Sequence, residues 1–172
     1  MTELGIGGGR RGARRAGATR LLLACFAAGL AVVDLWAKTV ARRTLGAGRV
    51  VDLGLLDLQL AFNSGTAFSL GVGLPPVLIV AVVAAITLGV AVFAWREAAT
   101  GSLLMVLGLA AVLAGAVANL VDRAGDGVVT DYLHSGWWPT FNLADIFITL
   151  GAAAVLIAVL RAPHAETGTS PS

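Results

Sequence analysis

Residues 119–145 read NLVDRAGDGVVTDYLHSGWWPTFNLAD, and the fold of the chain turns on how this stretch is placed. It carries four aspartates (Asp122, Asp126, Asp131 and Asp145) together with Asn119, Asn142 and Arg123. Apolar runs flank it, residues 102–121 before and 141–160 after. Each has about 20 residues, which at about 1.5 Å per helical residue covers a hydrocarbon core of about 30 Å. Asp122, Asp131 and Asp145 thus fall at or near the ends of membrane-spanning segments. Ionisable groups are costly there and are functional candidates by default.

Two more apolar runs lie upstream. Residues 75–95 carry no charge, and residues 21–37 form a first span that runs into DLWAK at 34–38. Composition agrees: 58% hydrophobic and 13% charged residues, with mean hydropathy +0.88. A soluble domain is nearer half apolar and a quarter charged. The fold class is therefore membrane all-α, a four-helix transmembrane bundle with spans at about 21–37, 75–95, 102–121 and 141–160. Residues 21–161 form one domain between a basic disordered tail over 1–20 and a disordered tail over 162–172. The net charge of +2 is small, and its basic excess sits in Arg10, Arg11, Arg14, Arg15 and Arg20. That places the N-terminus in the cytoplasm by the positive-inside rule and gives no reason to expect nucleic-acid binding. With four spans both termini are cytoplasmic, and the 39–74 segment and the 122–140 loop lie outside. The paired arginines and Leu22-Leu23-Ala24-Cys25 raise the question of a cleaved leader. Too few apolar residues separate Arg20 from Cys25 for a signal core, so the run reads as an uncleaved first span. Cys25 reads as a packing residue.

Within 39–74, Leu56 to Asn63 alternates with period two, the mark of a strand with one apolar face. Open strand edges cannot sit in lipid, so this strand belongs to a small extracytoplasmic β-cradle at the membrane surface. A turn of small and polar residues follows at 63–69, then Gly71, Gly73 and a proline pair that starts the next helix. In the third span Gly108, Ala111, Gly115 and Ala118 recur every three or four residues and offer a face for close helix packing.

The chemistry lies in the acids. Asn119 and Asp122 are three apart and share a helix face, and Asn142 and Asp145 repeat the spacing. Val128 to Thr130 reads as a short extended piece that projects Asp131 back toward Asp145. Two carboxylates in a partly dry pocket cannot both ionise freely, so one serves as acid and the other as base. Such a pair activates water and protonates a leaving amine without metal or cofactor. Other chemistries have less to work with. His134 and His164 are the only histidines and Cys25 the only cysteine, which leaves no convincing Ser/His/Asp or zinc set. Plainer readings stand beside these. Asp122 can pair with Arg123, Asp126 suits a solvated turn, Trp137 and Trp138 suit interfacial anchors, and His134 a loop. Asp34 and Lys38, four apart, are either a helix-end ion pair or polar groups that face the site.

The set DLWAK (34–38), FNSGTAFS (62–69), ANLVDR (118–123), VVTDYL (128–133) and FNLAD (141–145), in this order on a four-span chain, resembles the lipoprotein signal peptidase (signal peptidase II) family. The resemblance covers about 21–161. It implies an aspartic endopeptidase of the bacterial cytoplasmic (inner) membrane with its site on the extracytoplasmic side. Such an enzyme removes signal peptides from diacylglyceryl-modified prolipoproteins, cutting before the lipidated cysteine. It also implies catalytic roles for Asp131 and Asp145, and substrate-binding or supporting roles for Asp34, Lys38, Asn63, Gly65, Asn119, Asp122, Arg123 and Asn142. Membrane lipid and globomycin-type inhibitors are the other implied partners. Two departures are visible: Ala118 stands where the family usually has Gly, and Trp36 interrupts a usually polar run. Two rival classes remain. One is a proton- or cation-coupled transporter with ion sites at Asp145 and Asp122, although no inverted repeat is detectable and the acids cluster at one face. The other is a non-catalytic assembly subunit, which would tolerate loss of Asp131.

Overall fold

The computed structural model describes residues 6–64 and 75–162, with side chains from residue 12 onward. Helix α1 spans Ile6–Thr44, and a 3₁₀ turn at Gly46–Gly48 leads to strands β1 (Val50–Asp52) and β2 (Asp57–Asn63). Then follow α2 (Pro76–Glu97), α3 (Leu103–Asp126), β3 (Val129–His134) and α4 (Leu143–Leu160). All four helices are long and apolar enough to cross a membrane. Their outer faces carry side chains suited to lipid, such as Val77, Ile86 and Leu150, all exposed.

Sequence explains most of the boundaries. Pro76 starts α2 at its first position, where a missing N–H costs nothing. Ser102 caps α3 by accepting from the Met105 amide. Gly127, at φ 85°, ends α3 in the left-handed conformation that glycine adopts freely. Asn142 and Asp145 form a capping box at the start of α4, each side chain accepting from the other's backbone N–H.

Three expectations need correction. The tail expected to be disordered over 1–20 is helical from Ile6 despite its glycines, since extending an existing span needs no new nucleus. This extension is tied down at its base. Thr19 Oγ1 donates to the Ala98 carbonyl, and Arg20 donates to the Trp95 carbonyl at 3.2 Å while its guanidinium lies 5.2 Å over the Trp95 ring. The third helix carries Asp122 and Arg123 as expected but runs on to Asp126, so the turn expected at 125–127 begins only at Gly127. His134 closes a strand and does not belong to a loop. Of the turn expected at 63–69, Asn63 ends β2, while residues 65–69, Gly71, Gly73 and the tail from 163 on lie outside the described residues.

Helix α3 is central and packs against the other three helices. The shared core is built largely from alanine (Ala27, Ala31, Ala94, Ala110, Ala114 and Ala144), which lets backbones approach closely. Glycines tighten the α3–α4 seam further. A Cβ on Gly108 would stand 2.9 Å from the Gly151 carbonyl oxygen, and one on Gly115 would run into the Ala144 carbonyl. The strands form an antiparallel sheet in the order β1-β2-β3, with Ala61 opposite Asp131 and a register irregularity between Leu58 and Ala61. This sheet lies at the end of the bundle where α1 and α3 finish and α4 begins. Ala41, Leu45 and Tyr132, packed with Leu58 and Leu143, fasten it to the helices.

Candidate active site

On β3 side chains alternate between faces. Thr130 and Tyr132 turn toward α1, where Thr130 meets Arg42 and Tyr132 packs with Ala41 and Leu45. Asp131 turns the other way and is 3% exposed. Its Oδ1 accepts from Asn142 Nδ2 at 2.6 Å. Asp145, one turn into α4, accepts at Oδ2 from the Asn142 backbone N–H at 3.1 Å and at Oδ1 from Asn119 Nδ2 at 3.0 Å. One asparagine therefore holds both carboxylates, and it is itself fully buried.

Burial pushes the Asp131 carboxyl up to about 6, and the charge of Asp145 adds to the rise. Hydrogen bonds from Asn142 and Asn63 and the positive charge of Lys38 pull against it. An acid poised near neutrality can hold a proton and give it up during a reaction.

A polar chain backs the pair. Lys38 Nζ donates to Asn119 Oδ1 at 2.6 Å and pairs with Asp34 at 2.8 Å; both charges are buried. Asp34 Oδ1 also accepts from the Ala144 amide at 2.8 Å. A buried pair survives only when its remaining atoms are bonded, and these contacts serve that end. The two sequence readings of Asp34 and Lys38 thus merge into an ion pair that faces the acids. Asn63 contributes twice: its side chain bonds Asp131, and its carbonyl accepts from Arg123 Nη2 at 3.2 Å.

The expected Asp122–Arg123 pair does not form, because neighbouring residues on a helix do not face each other. Asp122 instead pairs with Arg42 at 2.8 Å and lies 3.7 Å from Lys38. Asp126 does serve the turn, exposed and accepting from the Val128 N–H at 3.3 Å, and its other oxygen also meets Arg42 at 2.7 Å. Sequence reading missed Arg42 and Thr130. The i, i+4, i+8 stripe of Asp34, Lys38 and Arg42 was the available signal. Gly65 lies outside the described residues. Among those residues no three His, Cys, Asp or Glu side chains are arranged to hold a metal.

An apolar groove of about 540 Å³ opens beside the acids, with Leu56, Trp138, Phe141, Ile146 and Leu150 along it and Asp145 in its wall. Trp137 and Trp138 stand exposed at its rim as an edge-to-face pair, 5.7 Å between centroids. A second cavity of about 570 Å³ lies between α1 and α3, bounded by Leu35, Arg42, Val121 and Asp122. Only the first combines an apolar bed with one of the two acids. The arrangement suits hydrolysis of a bond within an apolar, extended chain.

Residues 26–161 match the family described as signal peptidase (SPase) II. The chain is 37% identical over 150 residues to a lipoprotein signal peptidase of Rhodococcus jostii (strain RHA1), covering 82% of this chain and 73% of that one. It is 36% identical over 164 residues to one of Dichelobacter nodosus (strain VCS1703A), covering 87% and 97%. Its fold is similar to a bacterial membrane enzyme solved by the in meso method at 1.9 Å resolution. The TM-score is 0.70 at 22% identity, over 83% of this chain and 94% of that one.

Proposed function

The chain belongs to the signal peptidase II family, and from that membership and the geometry above we propose how it performs the family's reaction. It is a multi-pass membrane peptidase of aspartic type that removes signal peptides from prolipoproteins. Asp131 and Asp145 are the catalytic pair. The observation that carries this is their joint attachment to Asn142 beside the apolar groove. The substrate's signal segment lies in the groove, and its diacylglyceryl chains remain in lipid. One carboxylate takes a proton from water, and the resulting hydroxide adds to the scissile carbonyl carbon. The other carboxyl protonates the amide nitrogen as the C–N bond breaks, which leaves a new carboxyl terminus on the signal peptide and a free amine on the lipidated cysteine. The proton taken from water restores the pair. Acid and base are roles of the pair, and each carboxyl returns to its starting form at the end of the cycle. Asp34, Lys38, Asn119 and Asn142 hold the pair, Arg123 anchors the end of β2, and Asn63, which bonds Asp131, and Gly65 have substrate-binding or supporting roles. Globomycin-type inhibitors compete for the groove. The site faces the extracytoplasmic side and both termini the cytoplasm, a reading that the N-terminal arginines support.

The test is cleavage of a diacylglyceryl-modified prolipoprotein peptide by the purified protein, with and without globomycin. Asp131→Asn and Asp145→Asn each abolish cleavage while the protein still accumulates. Full activity in either variant removes the pair from the mechanism. The transporter reading finds no support: Asp122 is engaged by Arg42 and Lys38, and the relatives named above are peptidases.

A further inference from the structure

Arg42 stands one turn beyond Lys38 on α1, and its guanidinium bonds in three directions. Nε donates to Thr130 Oγ1 at 2.6 Å, Nη2 to Asp122 at 2.8 Å and Nη1 to Asp126 at 2.7 Å. The same group lies 5.7 Å over the ring of Phe62 on β2. The free oxygen of Asp122 accepts from the Thr130 backbone N–H at 2.7 Å. Thr130, fully buried, is thus held by side chain and by backbone, and the next residue is Asp131.

Only up to this point is β3 paired in continuous register, with Val129, Thr130 and Asp131 opposite Asn63, Phe62 and Ala61. Its ladder with β2 breaks register between Leu58 and Ala61, and Ala61 is the residue opposite Asp131. A slip of one residue turns every side chain of a strand to the other face. Such a slip would swing Asp131 toward α1 and away from Asn142. Arg42 and Asp122 oppose that slip by clasping the preceding residue.

We propose that Arg42 is a positioning residue for proteolysis: with Asp122 it locks β3 at Thr130 so that the Asp131 carboxylate faces Asn142 and Asp145. The proposal rests on the assignment of Asp131 to the catalytic pair. A purely structural ion pair predicts something different. The Arg42 side chain is 35% exposed; its pair with Asp126 (42% exposed) contributes little to stability, and the Thr130 amide still bonds the 9% exposed Asp122 when Arg42 is replaced. A large loss of turnover with a small loss of stability therefore marks positioning.

The experiment compares full-length Arg42→Gln, Arg42→Lys, Thr130→Val and the Arg42→Gln/Thr130→Val double variant on the lipidated peptide, with exposed Arg43→Gln as control. Arg42→Gln lowers kcat by about 10- to 100-fold with KM within about twofold, the scale of a small misplacement of a reacting group. Arg42→Lys recovers part of the loss, because one donor remains. The double variant is no worse than Arg42→Gln, because both substitutions break the same contact. Wild-type kcat in Arg42→Gln overturns the proposal, as does a fully additive double variant. If Arg42→Gln fails to accumulate, Thr130→Val decides: a clear fall in kcat supports the clasp and wild-type kcat overturns it. Asp131→Asn in parallel separates the two readings. An active Asp131→Asn removes the catalytic pair itself; an inactive one beside a fully active Arg42→Gln removes only the role of Arg42.

Discussion

Asn142 carries two loads at once. Its Nδ2 fixes Asp131, and its side-chain oxygen caps α4 by accepting from the Asp145 amide at 3.1 Å. Asn142→Ala releases both, so turnover falls steeply and stability falls by about 1 kcal/mol, the usual cost of a lost cap. Activity and thermal unfolding of the purified variant measure the two losses separately. Asp131 makes a second prediction. Its carboxyl titrates at about 6 in the folded protein, against 3.8 for the ordinary group. Folding therefore favours its protonated form. That contribution is complete below the lower value and is lost as pH rises through the upper one. Asp131→Asn is neutral throughout and gains stability over the wild type as pH rises from about 4 to about 7. Melting curves across that range check it; an advantage that grows toward acid pH contradicts the assignment. At this scale the acids and asparagines were legible, because short spacing on a helix fixes which residues share a face. The stripe of Asp34, Lys38 and Arg42 places Arg42 on the same helix face, but its partner Thr130 lies 88 positions away and only the fold brings the two together.

Between elements, the α3–α4 seam decides how closely Asn119 and Asp145 approach. A Cβ on Gly115 meets the Ala144 carbonyl, next to Asp145, whereas a Cβ on Gly151 meets the Gly108 carbonyl at 2.6 Å, about two turns deeper. Both Gly115→Ala and Gly151→Ala cost stability, by about 1–3 kcal/mol for overpacking. Only Gly115→Ala also displaces the acid-bearing turn, so it lowers kcat by the larger factor. Comparable kcat in the two variants would count against this account of the seam. The helices and β2 were legible from apolar runs and period-two alternation. Strand β1 was not, because three residues carry no pattern, and the full lengths of α1 and α3 were hidden because polar residues extend a helix beyond lipid without changing its geometry.

For the whole molecule, the proposed orientation rests on charge, because helix length and apolarity fit either direction of insertion. Cysteine labelling tests the proposed topology. In a Cys25→Ala background, Leu55→Cys in the exposed turn before β2 reacts with a membrane-impermeant maleimide added to intact cells. Thr100→Cys, between α2 and α3, reacts only after the cells are opened. The reverse pattern inverts the topology. The course of α1 has a further consequence for how the chain is made. Asp34 waits for the Ala144 amide, 110 positions later, and Lys38 waits for Asn119, 81 positions later. At ribosomal speeds of about 5–20 residues per second, the interval before Ala144 is made lasts on the order of 5–20 s. For most of it two charges sit on a helix entering lipid before Asn119, the first of these later partners, is made. Their four-residue spacing lets each neutralise the other from the moment that turn of helix forms, so the pair that later backs the acids first serves as its own chaperone during insertion.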